Sequence, residues 1–156
     1  MKSEPYLEVS GNSGVFTDYN ILTRTLDVFC AELSLPKNLW VSLIFCVPEE
    51  MKRINRQYRG VDKTTDVLSF PAQPMPVEHN TLESESQFLG EILVDINYIM
   101  SQTESSLLNL AVLQVFIHGL LHLVGYDHIN SQQKDIMQGL EKSIMDLITR
   151  EGISGR

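Results

Sequence analysis

The sequence predicts an α/β or α+β fold: a small mixed sheet of about four strands, packed with helices and built around a buried central helix. Three observations predict it. Strand-like runs occur both in succession and separated by helical ones, which calls for antiparallel and parallel pairing in one sheet. Ser105 to Tyr126 carries no formal charge, and a helix that is apolar nearly all round belongs in a core. The chain has 156 residues, 43% of them hydrophobic, which fits a single domain over 1–156 by the rule of ~100–200 residues each. No repeat, Gly/Ser linker or low-complexity segment divides it. At this length ~70% of the unfolded chain's surface is buried on folding, so no disulfide scaffold is needed.

The elements follow in order. Tyr6 to Ser10 alternates as a short strand. Thr17 or Asp18 caps a helix whose face is Ile21, Leu22, Leu26, Phe29, Cys30 and Leu33. Trp40 to Val47 is apolar on both faces and reads as an interior strand. Pro48, Glu49 and Glu50 open a helix that runs to about Tyr58, with Pro and acids in the first turn where they fit best. Val67 to Phe70 is a strand closed by Pro71, and residues 72–87 form a polar loop holding His79. Phe88 to Ile96 is the next strand. The uncharged helix ends near Val124, and a last helix spans Ser131 to Ile148. That helix places Met137, Leu140, Ile144 and Leu147 on one face, with Asn130 and Gln133 as a capping pair.

The uncharged stretch is long enough on paper to span a bilayer. Asn109, Gln114, His118 and His122 interrupt it, and neither flank carries a basic cluster, so a buried helix is the simpler reading. The N-terminal Met1 to Tyr6 lacks the apolar core of a secretory signal. Cys30 and Cys46 form no CxxC pair and sit among apolar residues, as buried thiols do in a reducing compartment. A soluble cytoplasmic protein without membrane contact is expected.

Three of the four histidines lie within His118-Gly119-Leu120-Leu121-His122-Leu123-Val124-Gly125-Tyr126-Asp127-His128. His118 and His122 are one helical turn apart on one face, and Gln114 extends that stripe. Gly125 stops the helix, because glycine takes the left-handed C-terminal conformation cheaply, and the chain turns back to bring in His128. Three imidazoles so arranged make a tripod for Zn²⁺ or a similar ion, with a fourth position open to water. A lone histidine on an apolar helix is more often a satisfied core residue. Three at this spacing reverse that judgement. Zinc proteases of the HExxHxxGxxH type share the spacing, but their general base follows the first histidine. Here that place is Gly119, and the protease mechanism loses its key group.

Lys52, Arg53, Arg56, Arg59 and Lys63 concentrate five of the twelve basic residues. Lys52, Arg56 and Arg59 share one helical face. A solvated face balanced by Glu49, Glu50 and Asp62 accounts for the charge alone; a phosphate clamp is the functional alternative. Thr65, Asp66 and Ser69 end a loop and open a strand, positions that line sites as readily as they cap turns. Asp127 stands beside His128 as an outer acceptor for a ring N–H, or as a turn-forming residue.

The segments Asn55-Arg56-Gln57-Tyr58-Arg59-Gly60, Asp62-Lys63-Thr64-Thr65-Asp66-Val67-Leu68-Ser69-Phe70-Pro71 and Leu89-Gly90-Glu91-Ile92, with the histidine block, Met137 and Glu141, resemble the bacterial YbeY endoribonuclease family. The resemblance implies one Zn²⁺ per chain on His118, His122 and His128, with Arg59 as the family's functional arginine. It implies a single-strand-specific metallo-endoribonuclease that matures the 3′ end of small-subunit ribosomal RNA and serves ribosome quality control. RNA and the small ribosomal subunit are the implied partners, and DNA is not. Arg56, Lys63, Thr65 and Ser69 are the candidate substrate contacts. Thr64 replaces the family's usual Pro, and Glu91 its usual Asp. Two other classes fit the residues: a metallohydrolase acting on a non-RNA substrate, and a zinc-stapled ribosome assembly factor without catalysis.

The net charge of −8 and pI near 4.9 argue against a generic nucleic-acid coat protein. They confine an RNA site to a local basic groove with strong salt dependence.

Overall fold

The computed structural model describes residues 4–72 and 87–150. His79 and nearly all of the predicted polar loop lie outside them. The element order is β1 (Tyr6–Gly11), α1 (Tyr19–Glu32), β2 (Leu39–Phe45), α2 (Pro48–Arg59), β3 (Val67–Pro71), β4 (Gln87–Val94), α3 (Ile96–Gln102), α4 (Leu108–Leu123) and α5 (Ser131–Arg150), with a 3-10 turn over Ser105–Leu107. The sheet is mixed, in the order β1-β2-β4-β3. β1 and β4 flank β2 in parallel, and β3 pairs antiparallel with β4. The α+β expectation and its strand number hold.

Local chemistry explains most boundaries. Asp18, not Thr17, caps α1 by accepting from the Ile21 N–H at 3.3 Å. α2 starts on Pro48 and ends at Gly60, which adopts the left-handed conformation with φ 71°. Asn130 Oδ1 accepts from the Gln133 N–H at 2.8 Å and opens α5. Two expectations need correction. The run Phe88 to Ile96 is not one strand: Asp95 accepts from the Tyr98 N–H at 3.1 Å and so starts α3. Thr64 Oγ1 donates to the other oxygen of this fully buried carboxylate at 2.6 Å. On α5 the buried residues are Met137, Ile144 and Ile148, whereas Leu147 is only half-buried.

The two faces of the sheet bury different amounts. On one face α4 forms the centre of the main core, with Phe116, Ile117, Leu120 and Leu121 fully excluded from water. Segment Ser105–Leu123 is long and apolar enough to cross a membrane; here it packs against β3, β4, α1, α3 and α5. On the other face α2 covers a small cluster of Cys46, Met51, Leu68 and Leu93. Tyr58 and Phe70 extend that contact, their rings 5.4 Å apart.

A register shift joins the two faces to the site. Trp40 pairs with Phe88 but Val41 with Gly90, so Leu89 is an extra residue in β4. The bulge places Leu89, Ile92 and Val94 in the main core and leaves Leu93 on the α2 side. Gly90 has φ 144°, and a Cβ there would strike the Phe70 carbonyl oxygen and lie 2.8 Å from Leu123 Cδ2. Gly90→Ala therefore combines backbone strain with a clash against the backbone of β3. The expected loss is ~2–4 kcal/mol, read as a shift of the urea midpoint.

Both cysteines are free and buried, as expected. Burial, with Asp27 nearby, pushes the Cys30 thiol from its ordinary 9.0 to about 12. Burial, then Glu50 and Asp95, raises Cys46 to about 11. At pH 8 iodoacetamide should label the native protein far more slowly than the urea-unfolded chain. The sign of the pH effect follows by linkage. The unfolded thiols ionise first, so stability is intact below pH 9.0 and falls as pH rises through the folded values of about 11 and 12. Urea midpoints between pH 8 and the alkaline limit test this.

Candidate metal centre and substrate cleft

His118 and His122 leave α4 on one face, and the turn that follows supplies the third imidazole. Tyr126 N–H donates to the Leu121 carbonyl and Gly125 N–H to the His122 carbonyl, at 3.0 and 3.1 Å. This pair of bonds, with Gly125 at φ 102°, is the Schellman ending that reverses the chain. Asp127 Oδ1 then accepts from the His128 backbone N–H at 2.8 Å. The result stacks the His128 ring on His118, centroids 5.6 Å apart, and sets it 5.1 Å from His122. One ring nitrogen from each histidine lies within 4.8 Å of the others, so the group could hold a metal ion.

The donor chemistry fits a cation. His118 Nε2 and His122 Nε2 face each other at 3.2 Å. The opposite nitrogen of His118, Nδ1, lies 2.9 Å from Glu141 Oε2. With Nδ1 of His118 turned to Glu141, the two Nε2 atoms are left facing one another, an arrangement suited to a shared positive ion. Desolvation by burial, then repulsion from His118 and His128, lowers the His122 pKa below the ordinary 6.5, against the pull of Asp127. The ring is thereby kept neutral near pH 7, the state a metal requires.

Gly119 is closed to side chains as well as lacking one. A Cβ would lie 3.0 Å from Ile92 Cγ2 and 3.1 Å from Ser69 Oγ, because this flank of α4 packs on the sheet. The place where zinc proteases carry a glutamate is here a helix–sheet contact.

The histidines open on a cavity of about 890 Å³ that Arg59, Thr65, Asp66 and Ser69 also line. Arg59, the last residue of α2, donates from Nη2 to the Ser69 carbonyl at 3.2 Å, and its guanidinium carbon lies 6.0 Å from the Phe70 ring centre. The predicted residues thus divide. Thr65 reaches the cavity wall and bonds Asp66 Oδ1 at 3.3 Å. Ser69 lines the cavity but spends its hydroxyl on the Gly119 carbonyl at 3.3 Å, tying β3 to α4. Arg56 and Lys63 are exposed and are not among the residues lining the cavity. Arg56 Nη1 faces Asp62 at 4.0 Å, and the Lys63 carbonyl accepts from Asn55 Nδ2 at 2.9 Å. Asp127 bonds the His128 backbone, as a turn residue does, and lies near enough to His122 to act on its charge. Glu91 is exposed, on the strand face that carries Leu93. Sequence reasoning gave Glu141 no role, and it missed Tyr98 on α3 as a lining residue.

Fold and site together define a class: an α+β protein whose core helix presents a three-histidine metal cluster to a cleft shared with one arginine. Comparison with known proteins narrows this. Residues 14–149 match the family model described as endoribonuclease YbeY. The endoribonuclease YbeY of a Sulfurihydrogenibium species is 37% identical over 124 residues, 78% of this chain and 77% of that protein. That of Bartonella henselae is 32% identical over 134 residues, 84% of this chain and 82% of that protein. The solution structure of TM1509 from Thermotoga maritima matches with a TM-score of 0.60 and 25% identity, over 96% of this chain and 95% of that one. The chain belongs to the endoribonuclease YbeY family.

Proposed function

We propose that this chain cleaves single-stranded RNA with one divalent ion, zinc by the ligand set, held on His118, His122 and His128, and with Arg59 as the phosphate-binding cation. As a member of its family it is an RNA-processing endoribonuclease, a hydrolase. The natural substrate in this reading is ribosomal RNA, cut during maturation of the 3′ end of the small-subunit RNA in the cytoplasm. The observation that carries the proposal is the convergence of three ring nitrogens within 4.8 Å on a cavity that Arg59 shares.

An ion held by His118, His122 and His128 would supply Lewis acidity towards a phosphoryl oxygen and would acidify a bound water. The chain supplies the rest. Arg59, held at one nitrogen by the Ser69 carbonyl, keeps its remaining N–H groups for phosphate oxygens as charge develops on them. Asp66, Asp127 and Glu141 place three carboxylates on the cavity wall against that one guanidinium, so the unloaded cleft disfavours a polyanion. Binding of RNA therefore depends on the loaded state, and the overall charge of −8 keeps weak, non-specific binding low. Arg56 and Lys63 contribute to the approach of the strand from outside the cavity.

The test compares the purified protein as isolated, after chelation and after refilling with Zn²⁺, on single-stranded RNA, duplex RNA and DNA. Cleavage should vanish with chelation, return with the ion, and be confined to single-stranded RNA. Cleavage indifferent to chelation would reveal a contaminating nuclease and end the proposal.

A further inference from the structure

We infer that Glu141 is a positioning residue for the metal centre: its carboxylate holds His118 as the Nδ1–H tautomer and aims Nε2 at the ion. This rests on the metal reading above. On α5, Met137, Glu141, Ile144 and Ile148 follow one another at spacings of four, three and four, so they share one helical stripe. Met137, Ile144 and Ile148 are in the core, and the Glu141 side chain keeps only 15% of its exposure. A carboxylate in an apolar stripe costs free energy unless a partner satisfies it.

That partner is His118 Nδ1, 2.9 Å from Oε2. A carboxylate only accepts, so the shared proton resides on Nδ1 and the Nε2 lone pair is left for the site. Nε2 is also the atom that faces His122 Nε2, at 3.2 Å. Outer carboxylates of this kind fix the orientation and raise the basicity of a ligating imidazole. The other nearby acids do not take this role. Asp66 accepts from Thr65 Oγ1 and Asp127 from the His128 backbone N–H, and Glu91 is exposed on the far strand face.

Glu141→Met keeps the length and suits the stripe, but removes the acceptor. Glu141→Gln keeps an acceptor oxygen without the charge. The metal-free proteins are titrated with Zn²⁺ against a competing chelator, and with Co²⁺ while its d–d absorption is followed. Glu141→Met should weaken binding ~10–100-fold and alter the Co²⁺ bands. Glu141→Gln should fall between it and the parent protein, with bands near the parent's. The metal-free melting temperature of Glu141→Met should stay near the parent's, because methionine suits the apolar stripe while His118 Nδ1 loses its partner. Unchanged affinity in Glu141→Met overturns the inference, as does a Gln variant no better than Met. If the parent protein itself binds no ion, the metal reading falls and takes this inference with it.

Discussion

His122→Ala is expected to abolish RNA cleavage and metal retention while leaving a folded protein. His122 is half-buried, and its environment disfavours the charged form through desolvation and two neighbouring imidazoles. Its Nε2 meets another ring nitrogen at 3.2 Å, so without an ion the ring contributes little to folding. The helix it leaves is held instead by Phe116, Ile117, Leu120 and Leu121, all fully buried. Removing one of three ligands should cost more affinity than the ~10–100-fold typical of losing an outer partner. The several kcal/mol that an ion supplies to charge stabilisation correspond to ~10²–10⁴-fold in rate. Metal content by mass, cleavage of single-stranded RNA and far-UV circular dichroism give the three readouts. A zinc-stapled assembly factor predicts the reverse pattern, in which the substitution unfolds the domain. A folded, metal-free, inactive protein supports the enzyme; an unfolded one supports the staple.

The legibility of this molecule in its sequence was uneven, for physical reasons. The histidine tripod was readable because its geometry is local: a one-turn spacing on α4, then a glycine-terminated reversal within six residues. α2 and α5 were readable from their first turns, where Pro48 and Asn130 carry unambiguous chemistry. α3 was hidden because Phe88 to Ile96 is an apolar run carrying only Glu91 and Asp95 as charges, and Asp95 alone marks the break. Its carboxylate is shared with Thr64, 31 residues earlier in the chain, through the other oxygen. The bulge at Leu89 depends on register with β2, which no local pattern encodes. Glu141 was missed for a related reason. Placing the α5 face on Leu140 and Leu147 favours hydrophobicity, whereas the observed stripe turns an acid inward because a histidine from another helix awaits it. Polar residues at core spacing are read correctly only when the partner is known. The base-rich segment around α2 was legible beneath the average of −8, but which of its side chains reaches the cavity was not, and only Arg59 does.

Arg59→Ala should lose cleavage without losing metal, which separates the arginine's role from that of the histidines. Arg59 is exposed and ends α2; its bond to the Ser69 carbonyl and its approach to Phe70 are surface contacts. Such contacts contribute only ~0.5–1 kcal/mol, so the melting temperature should change little. Loss of a preorganised donor at developing charge is larger, ~10²–10³-fold in rate. Arg59→Lys sharpens the test. Lysine keeps the charge but not the planar fork, so it cannot hold the Ser69 carbonyl and present further donors in a fixed direction. If Arg59 only attracts the RNA, lysine restores most of the activity, and the deficit of the alanine variant lies in KM and shrinks at low salt. If it stabilises the transition state, both variants lose kcat, and added salt does not change their ratio to the parent enzyme. The second pattern is expected, because the Ser69 carbonyl already fixes the guanidinium before substrate arrives. A hydrolase of peptides or small neutral molecules would be indifferent to both substitutions, and that outcome would displace RNA as the substrate.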